Sequence, residues 1–305
     1  CTLAGSGHVP FREVPNHAQR TMNAHRPMRI ALLALFLVAT TARAQRAAHA
    51  PAQRVGSPQP YTIGVIETLH STILGEDRIL NIHLPPGYAA DTVANYPVIF
   101  LLDGSAEEDF VHVVGGLQFA SYPWIQWVPP SIVVGIANVD RRRDLTFPTT
   151  IAADKEKYPT TGGSVAFQQF LAHELVPFIT SNYRAGGPHT LIGQSLGGLL
   201  ATEVLFRMPY LFQHYLIVSP SLWWDGGTVL DLPHDAWMAP DIGVASVYVA
   251  VGQEGPGMVK PANRLAAMLR KESQARIGYR HYTDLDHANI LHRAVMDYFQ
   301  WRSGK

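Results

Sequence analysis

The amino-acid sequence predicts an α/β fold: a mostly parallel twisted sheet with an antiparallel N-terminal opening and helices on both faces. Three observations carry this. Residues 61–71 and 78–84 alternate polar and apolar side chains with many β-branched residues, as half-buried antiparallel strands do, and Pro85-Pro86-Gly87 closes the second. Short continuous apolar runs follow at 98–102, 132–137, 190–192, 215–218 and 247–251, the pattern of strands covered on both faces, with a less apolar last candidate at 277–283. Between them lie helical patterns. In 165–183, Phe167, Phe170, Leu171, Leu175 and Phe178 recur at spacings of three and four. Segments 196–207, 261–273 and 288–301 read similarly, the second with Pro261 at its start. Strands alternating with helices after an antiparallel opening specify helices on both sides of one sheet. No repeat or linker interrupts 61–302, which reads as one domain.

Composition narrows the function classes. Apolar residues make up 47% of the 305 and charged residues 16%, enough for a sizeable core. The 24 basic and 24 acidic side chains cancel, so the basic stripe of a nucleic-acid binder is not expected. Cys1 is the single cysteine and permits no intrachain disulfide. The 14 histidines fall in no HxH or HExxH spacing and CxxC is absent, so neither a metal nor another cofactor is expected.

The N-terminal region reads as a targeting segment. Arg26 and Arg29 precede the apolar run 30–39, and Ala42-Arg43-Ala44 precedes Gln45. A basic start, an apolar centre and an A-x-A site make a secretory signal peptide over 22–44, cleaved near Ala44-Gln45. The run is short of the ~20 residues that a membrane span needs. Met22 or Met28 fits the start of that peptide, which leaves 1–21 as an upstream extension. Residues 45–60, rich in Ala, Pro, Gln and Ser, read as a flexible leader. A periplasmic or secreted location is the expectation.

The chemistry centres on Gly193-Gln194-Ser195-Leu196-Gly197-Gly198, a G-x-S-x-G after a short strand and at the start of a helix. Such a turn presents the Ser195 hydroxyl at the C-terminal edge of the sheet, and small neighbours let strand and helix approach closely. A hydroxyl needs a general base and a group that orients the base. His287, in Asp284-Leu285-Asp286-His287 after the last strand, is placed at the same edge. The orienting acid is Glu254, after the 247–251 strand, with Asp225, Asp284 and Asp286 as alternatives. Acyl transfer also needs N–H donors for the oxyanion. The Leu196 N–H is one, and the turn Asp103-Gly104-Ser105 offers the Ser105 N–H as the second.

These motifs extend into a wider pattern. Tyr96-Pro97-Val98-Ile99-Phe100-Leu101-Leu102-Asp103-Gly104, Arg143-Asp144-Leu145-Thr146, Phe170-Leu171, Glu174-Leu175-Val176-Pro177-Phe178, Gly193–Leu199, Ser219-Pro220-Ser221-Leu222-Trp223-Trp224, Gly252–Glu254 and Asp286-His287 span roughly 61–300. Together they resemble the esterase family that includes esterase D-like enzymes, enterochelin-type ferric-siderophore esterases and, more distantly, mycolyltransferases. The resemblance implies an α/β-hydrolase fold, Ser195–His287 catalysis with an acid at Glu254, and a role for Gly104-Ser105 in the oxyanion hole. Gln194 stands where His is common in relatives. Some siderophore esterases of the family work with a Ser–His pair and little help from a third residue. Trp223 and Trp224 are candidate walls of an acyl pocket, and Arg143, within Arg141-Arg142-Arg143, is a candidate contact for an anionic substrate. The expected partner is a small-molecule ester. A siderophore lactone, transfer of the acyl group to a sugar, and an inactive binding protein on the same scaffold are the alternatives.

Overall fold

The computed structural model describes residues 54–233, 242–272 and 274–304. The expected extension, the signal peptide and most of the leader lie outside them. The chain divides between Pro60 and Tyr61, and every element below belongs to the part that begins at Tyr61.

The described residues form one eight-stranded sheet: β1 (Val65–Ser71), β2 (Glu76–His83), β3 (Tyr96–Leu102), β4 (Ile132–Ile136), β5 (Ala185–Gln194), β6 (His214–Val218), β7 (Ser246–Val251) and β8 (Arg276–His281). Their order is β1-β2-β4-β3-β5-β6-β7-β8. β1 pairs antiparallel with β2, and β2 antiparallel with β4; the remaining neighbours are parallel. This is the order and direction of an α/β-hydrolase sheet.

Strand β3 shows why the central strands read as unbroken apolar runs. Val98, Phe100 and Leu102 pack into the core on one face, Ile99 and Leu101 into the core on the other, and all are buried. The first face is covered by α4 (Ser164–Phe170), α6 (Leu196–Arg207) and α7 (Pro256–Glu272), the second by α1 (Phe110–Ala120) and α8 (Ile290–Ser303). The short helices α2 (Arg141–Leu145), α3 (Ala152–Lys157) and α5 (Val176–Asn182) complete the set used below.

Two expected helices differ in detail. The 165–183 segment is not one α-helix, because a π turn at Leu171–Leu175 separates α4 from α5. Pro177 has no N–H and its ring crowds the carbonyl four residues earlier. The turn opens there, and the Val176 N–H donates to the Leu171 carbonyl instead. Glu174, on this turn, reaches the β1–β2 hairpin, where its carboxylate accepts the Thr72 and Ile73 N–H groups at 2.9 and 3.1 Å. Helix α7 begins at Pro256, a turn before Pro261, which lies inside it. The left-handed Gly255, with φ of 78°, releases the chain into that first turn.

Candidate active site

The parallel strands end at one edge, and the turns after β3, β5, β6, β7 and β8 meet there. Ser195 joins β5 to α6 with φ 61° and ψ −119°, a conformation that costs a non-glycine residue free energy. Its N–H donates to the Val218 carbonyl at 3.0 Å, and its own carbonyl accepts from Leu199 and Ser221 N–H at 3.0 Å each. The sharp turn requires glycine before it: a Cβ on Gly193 would stand 2.3 Å from the Gly197 carbonyl oxygen. Ser195 thus opens α6, whose first N–H groups have no acceptor within the helix.

His287 follows β8, and its Nδ1 lies 2.5 Å from Glu254 Oε2. Glu254 follows β7, with its side chain only 6% exposed. Its Oε1 accepts the Gly252 N–H at 3.1 Å and the Ser219 hydroxyl. Because Nδ1 faces a carboxylate, Nε2 is the nitrogen left for chemistry. The Gln194 side chain donates to the His287 carbonyl at 2.6 Å and ties the His287 loop to the Ser195 turn. Ser195 and His287 line two common cavities. Asp225 is occupied elsewhere: its carboxylate accepts from the Thr149, Thr150 and Thr228 hydroxyls and from the Thr150 N–H. Burial pushes that carboxyl up, but these bonds outweigh it and hold it below the usual range. Asp286 and Asp284 do not take the acid position; Asp286 caps the turn before α8 by accepting the Ala288 N–H at 2.9 Å.

Three cavities converge on Ser195. The first, of about 210 Å³, is lined by Tyr158, Trp223 and Trp224 beside Ser195 and Leu196, and by Arg141 and Arg142. Trp224 is buried and donates its indole N–H to the Phe147 carbonyl at 2.8 Å. Trp223 is 44% exposed, its ring edge-on to Trp224 at 6.2 Å, and it also lines the third cavity. The second cavity is lined by Asp103, Glu108, Asp109, Arg141 and His292 as well as Ser195 and His287. Burial, with Asp103 and Glu108 nearby, pushes the Asp109 carboxyl up to about 6. Arg141 holds Asp103 with two bonds, Nε to Oδ1 at 2.6 Å and a terminal nitrogen to Oδ2 at 2.9 Å.

Two expected contacts are not among the residues that line the cavities. Ser105 lines none of the three cavities. The Gly104 N–H donates to the Ile136 carbonyl at 3.0 Å, and a Cβ there would stand 2.4 Å from Gly135 Cα. This close contact draws the turn onto β4, and Asp103, with φ of 54°, lines the second cavity. Arg143 also stays out of the cavities. It binds Glu76 through both terminal nitrogens and Asp144 Oδ1 through Nε at 2.7 Å. Buried Arg78 binds the same two carboxylates, Glu76 and Asp144. No motif marks Ser221, whose Oγ lies 3.4 Å from Ser195 Oγ, or Ser219, which supports Glu254. Both stand in the stretch after β6, and only the family pattern drew notice to it.

Residues 71–302 match the family described as "Putative esterase". The chain belongs to this esterase family. Over 188 residues it is 30% identical to the ferri-bacillibactin esterase BesA of Bacillus subtilis. That alignment covers 57% of this chain and 65% of BesA, just under two thirds of the relative. Among solved structures, an IroE-like serine hydrolase from Shewanella oneidensis superposes with a TM-score of 0.70 at 31% identity, covering 78% of this chain and 79% of that one. The BES protein from Bacillus cereus gives 0.67 at 25% identity, over 82% of this chain and 99% of that one. With the strand order above, these likenesses identify the α/β-hydrolase fold of this esterase-family member.

Proposed function

We propose that the protein is a carboxylic ester hydrolase acting through an acyl-enzyme on Ser195. The observation that carries this reading is the Glu254–His287 pair at 2.5 Å, in cavities shared with a strained, helix-opening serine. Ser195 Oγ bonds to the ester carbonyl carbon while its proton passes to His287 Nε2, and the carbonyl electron pair moves onto oxygen. The Leu196 N–H stabilises that oxyanion, with the Ser105 N–H as second donor. Collapse expels the alcohol, which takes the proton from His287, and water then repeats the sequence on the acyl-enzyme. Glu254 holds the imidazole in the required tautomer and stabilises its protonated form.

The cavities divide the substrate. The alcohol must leave beside His287, which lines the second and third cavities. The first cavity touches Ser195 and Leu196 but lacks His287 as a lining residue, so it receives the acyl part between aromatic walls. The relatives named for siderophore esters support a siderophore ester or lactone as substrate. The 22–44 pattern supports action outside the cytoplasm, and mass spectrometry of the exported chain for a terminus at Gln45 tests that part.

Ser195→Ala should lower turnover of 4-nitrophenyl acyl esters by several orders of magnitude and abolish labelling by a fluorophosphonate probe. Near wild-type turnover by the variant refutes the assignment. An ester panel spanning short acyl, feruloyl and trilactone substrates then fixes the acyl preference.

A further inference from the structure

Three consecutive arginines open α2, and the structure assigns them different states. Arg141 is bound at two points by the carboxylate of Asp103. Arg143 is bound by Glu76 and Asp144, the carboxylates that also hold Arg78. In each group the charges match: one arginine with one carboxylate, and two arginines with two carboxylates. Arg142 is different. Among the described residues it has no carboxylate within ion-pair reach, and its guanidinium lies 5.0 Å from the centre of the Tyr158 ring. The Lys157 ammonium lies 5.1 Å from the same ring and adds charge of the same sign.

Arg142 and Tyr158 both line the first cavity, to which no Asp or Glu contributes. The second cavity has three carboxylates, Asp103, Glu108 and Asp109, against Arg141. Ser195 therefore stands between a cavity with an uncompensated cation and one with excess negative charge. The position over the Tyr158 ring also matters for Arg142. A guanidinium over an aromatic face keeps its edge N–H groups free for a second partner, and a planar anion accepts two of them at once.

We propose that Arg142 is a specificity-determining residue that selects acyl groups carrying a negative charge at the end remote from the ester. This rests on the ester-hydrolase reading and on the assignment of the first cavity to the acyl part. An aryl ring would lie against Trp223 and Tyr158, with its anionic substituent on Arg142. The opposite sign of the second cavity disfavours the same group in the reversed orientation.

The test uses two methyl esters of similar shape, monomethyl terephthalate and methyl 4-carbamoylbenzoate, which differ in a carboxylate against a neutral amide. The readout is the ratio of their kcat/KM values, so differences between preparations cancel, and fluorophosphonate labelling counts active Ser195. Wild type should favour the carboxylate by roughly tenfold, mainly through KM, and high salt should shrink the preference. Arg142→Gln should bring the ratio near that of alkaline hydrolysis, while Arg142→Lys should retain part of it. A wild-type ratio already at the alkaline value, or an Arg142→Gln ratio equal to wild type, overturns the proposal and leaves the esterase reading intact. Labelled protein that turns over neither ester also overturns it, since the cavity then does not accept an aryl acyl group. Failure of Ser195 to label removes the esterase reading, and this proposal with it.

Discussion

Glu254→Gln separates a three-residue catalytic unit from a Ser–His pair. The side chain is nearly isosteric, so the backbone has no reason to move, but the pattern of donors changes. Glu254 accepts on both oxygens: from Gly252 N–H and Ser219 on Oε1, and from His287 Nδ1 on Oε2. A glutamine has one oxygen to offer. With that oxygen on the Gly252 side, its NH2 group faces His287 and demands an unprotonated Nδ1, which moves the proton to Nε2 and blocks the base. With the amide reversed, His287 keeps its tautomer but the NH2 group meets the Gly252 N–H. Loss of a charge-assisted bond to the imidazolium is worth about 1.5–3 kcal/mol, a factor of roughly 10–100 in rate. Tautomer inversion multiplies this, for a total kcat loss of roughly 10³–10⁴-fold. The assay is kcat on 4-nitrophenyl acetate, corrected for folded protein by thermal melt. A variant within about tenfold of wild type, less than the charge-assisted bond alone is worth, refutes the reasoning and assigns catalysis to Ser195 and His287 alone.

Two further outcomes concern stability. Asp144→Ala leaves buried Arg78 with Glu76, at 3.1 Å, as its remaining partner. The variant should lose about 3 kcal/mol in urea unfolding, and a loss within error of zero contradicts the reading of this group as a coupled buried network. Asp109→Asn should stabilise the protein at pH 7.5 by about 1 kcal/mol, after discounting its shift for solvent screening. The Asp109 carboxyl is raised from 3.8 to about 6, so its contribution is full below 3.8 and is lost as pH rises through 6. The gain should therefore vanish in melts near pH 4, and a gain of the same size at both pH values refutes it.

Legibility followed locality. Strands β3, β4, β6 and β7 were readable because burial on two faces leaves an unbroken apolar run of the strand's own length. Helix α1 was not. Phe110–Ala120 is rich in β-branched residues and contains Gly115-Gly116, so propensity argues against it. It forms because tertiary packing overrides propensity: a Cβ at Gly116 would already lie 3.2 Å from the Met296 sulfur of α8. Strand β5 reaches back to Ala185 through Gly186-Gly187-Pro188, residues that read as a turn.

The site divides the same way. The Ser195 turn is a local device and is visible in six residues; His287 and Glu254 are found by following strand ends. Among the arginines, identical side chains in adjacent positions differ only in what surrounds them, and Glu76 and Asp144 draw Arg143 inward. No spacing rule reports that. The contact of Gly104 with Gly135 is equally hidden, since it joins turns separated in sequence.

The backbone at Ser195 carries a consequence for how this protein can change. Its φ of 61° with ψ of −119° suits glycine and disfavours any residue with a Cβ, at a cost of about 1–3 kcal/mol. Glycine at this position would ease the chain while discarding the hydroxyl on which the proposed ester chemistry rests. In the proposed mechanism durability and turnover thus pull in opposite directions at Ser195, and the surrounding bonds with Val218, Leu199 and Ser221 hold the turn against its own preference. Loss of the activity would remove the reason for a serine here, and a lineage freed from that demand has a downhill path toward glycine.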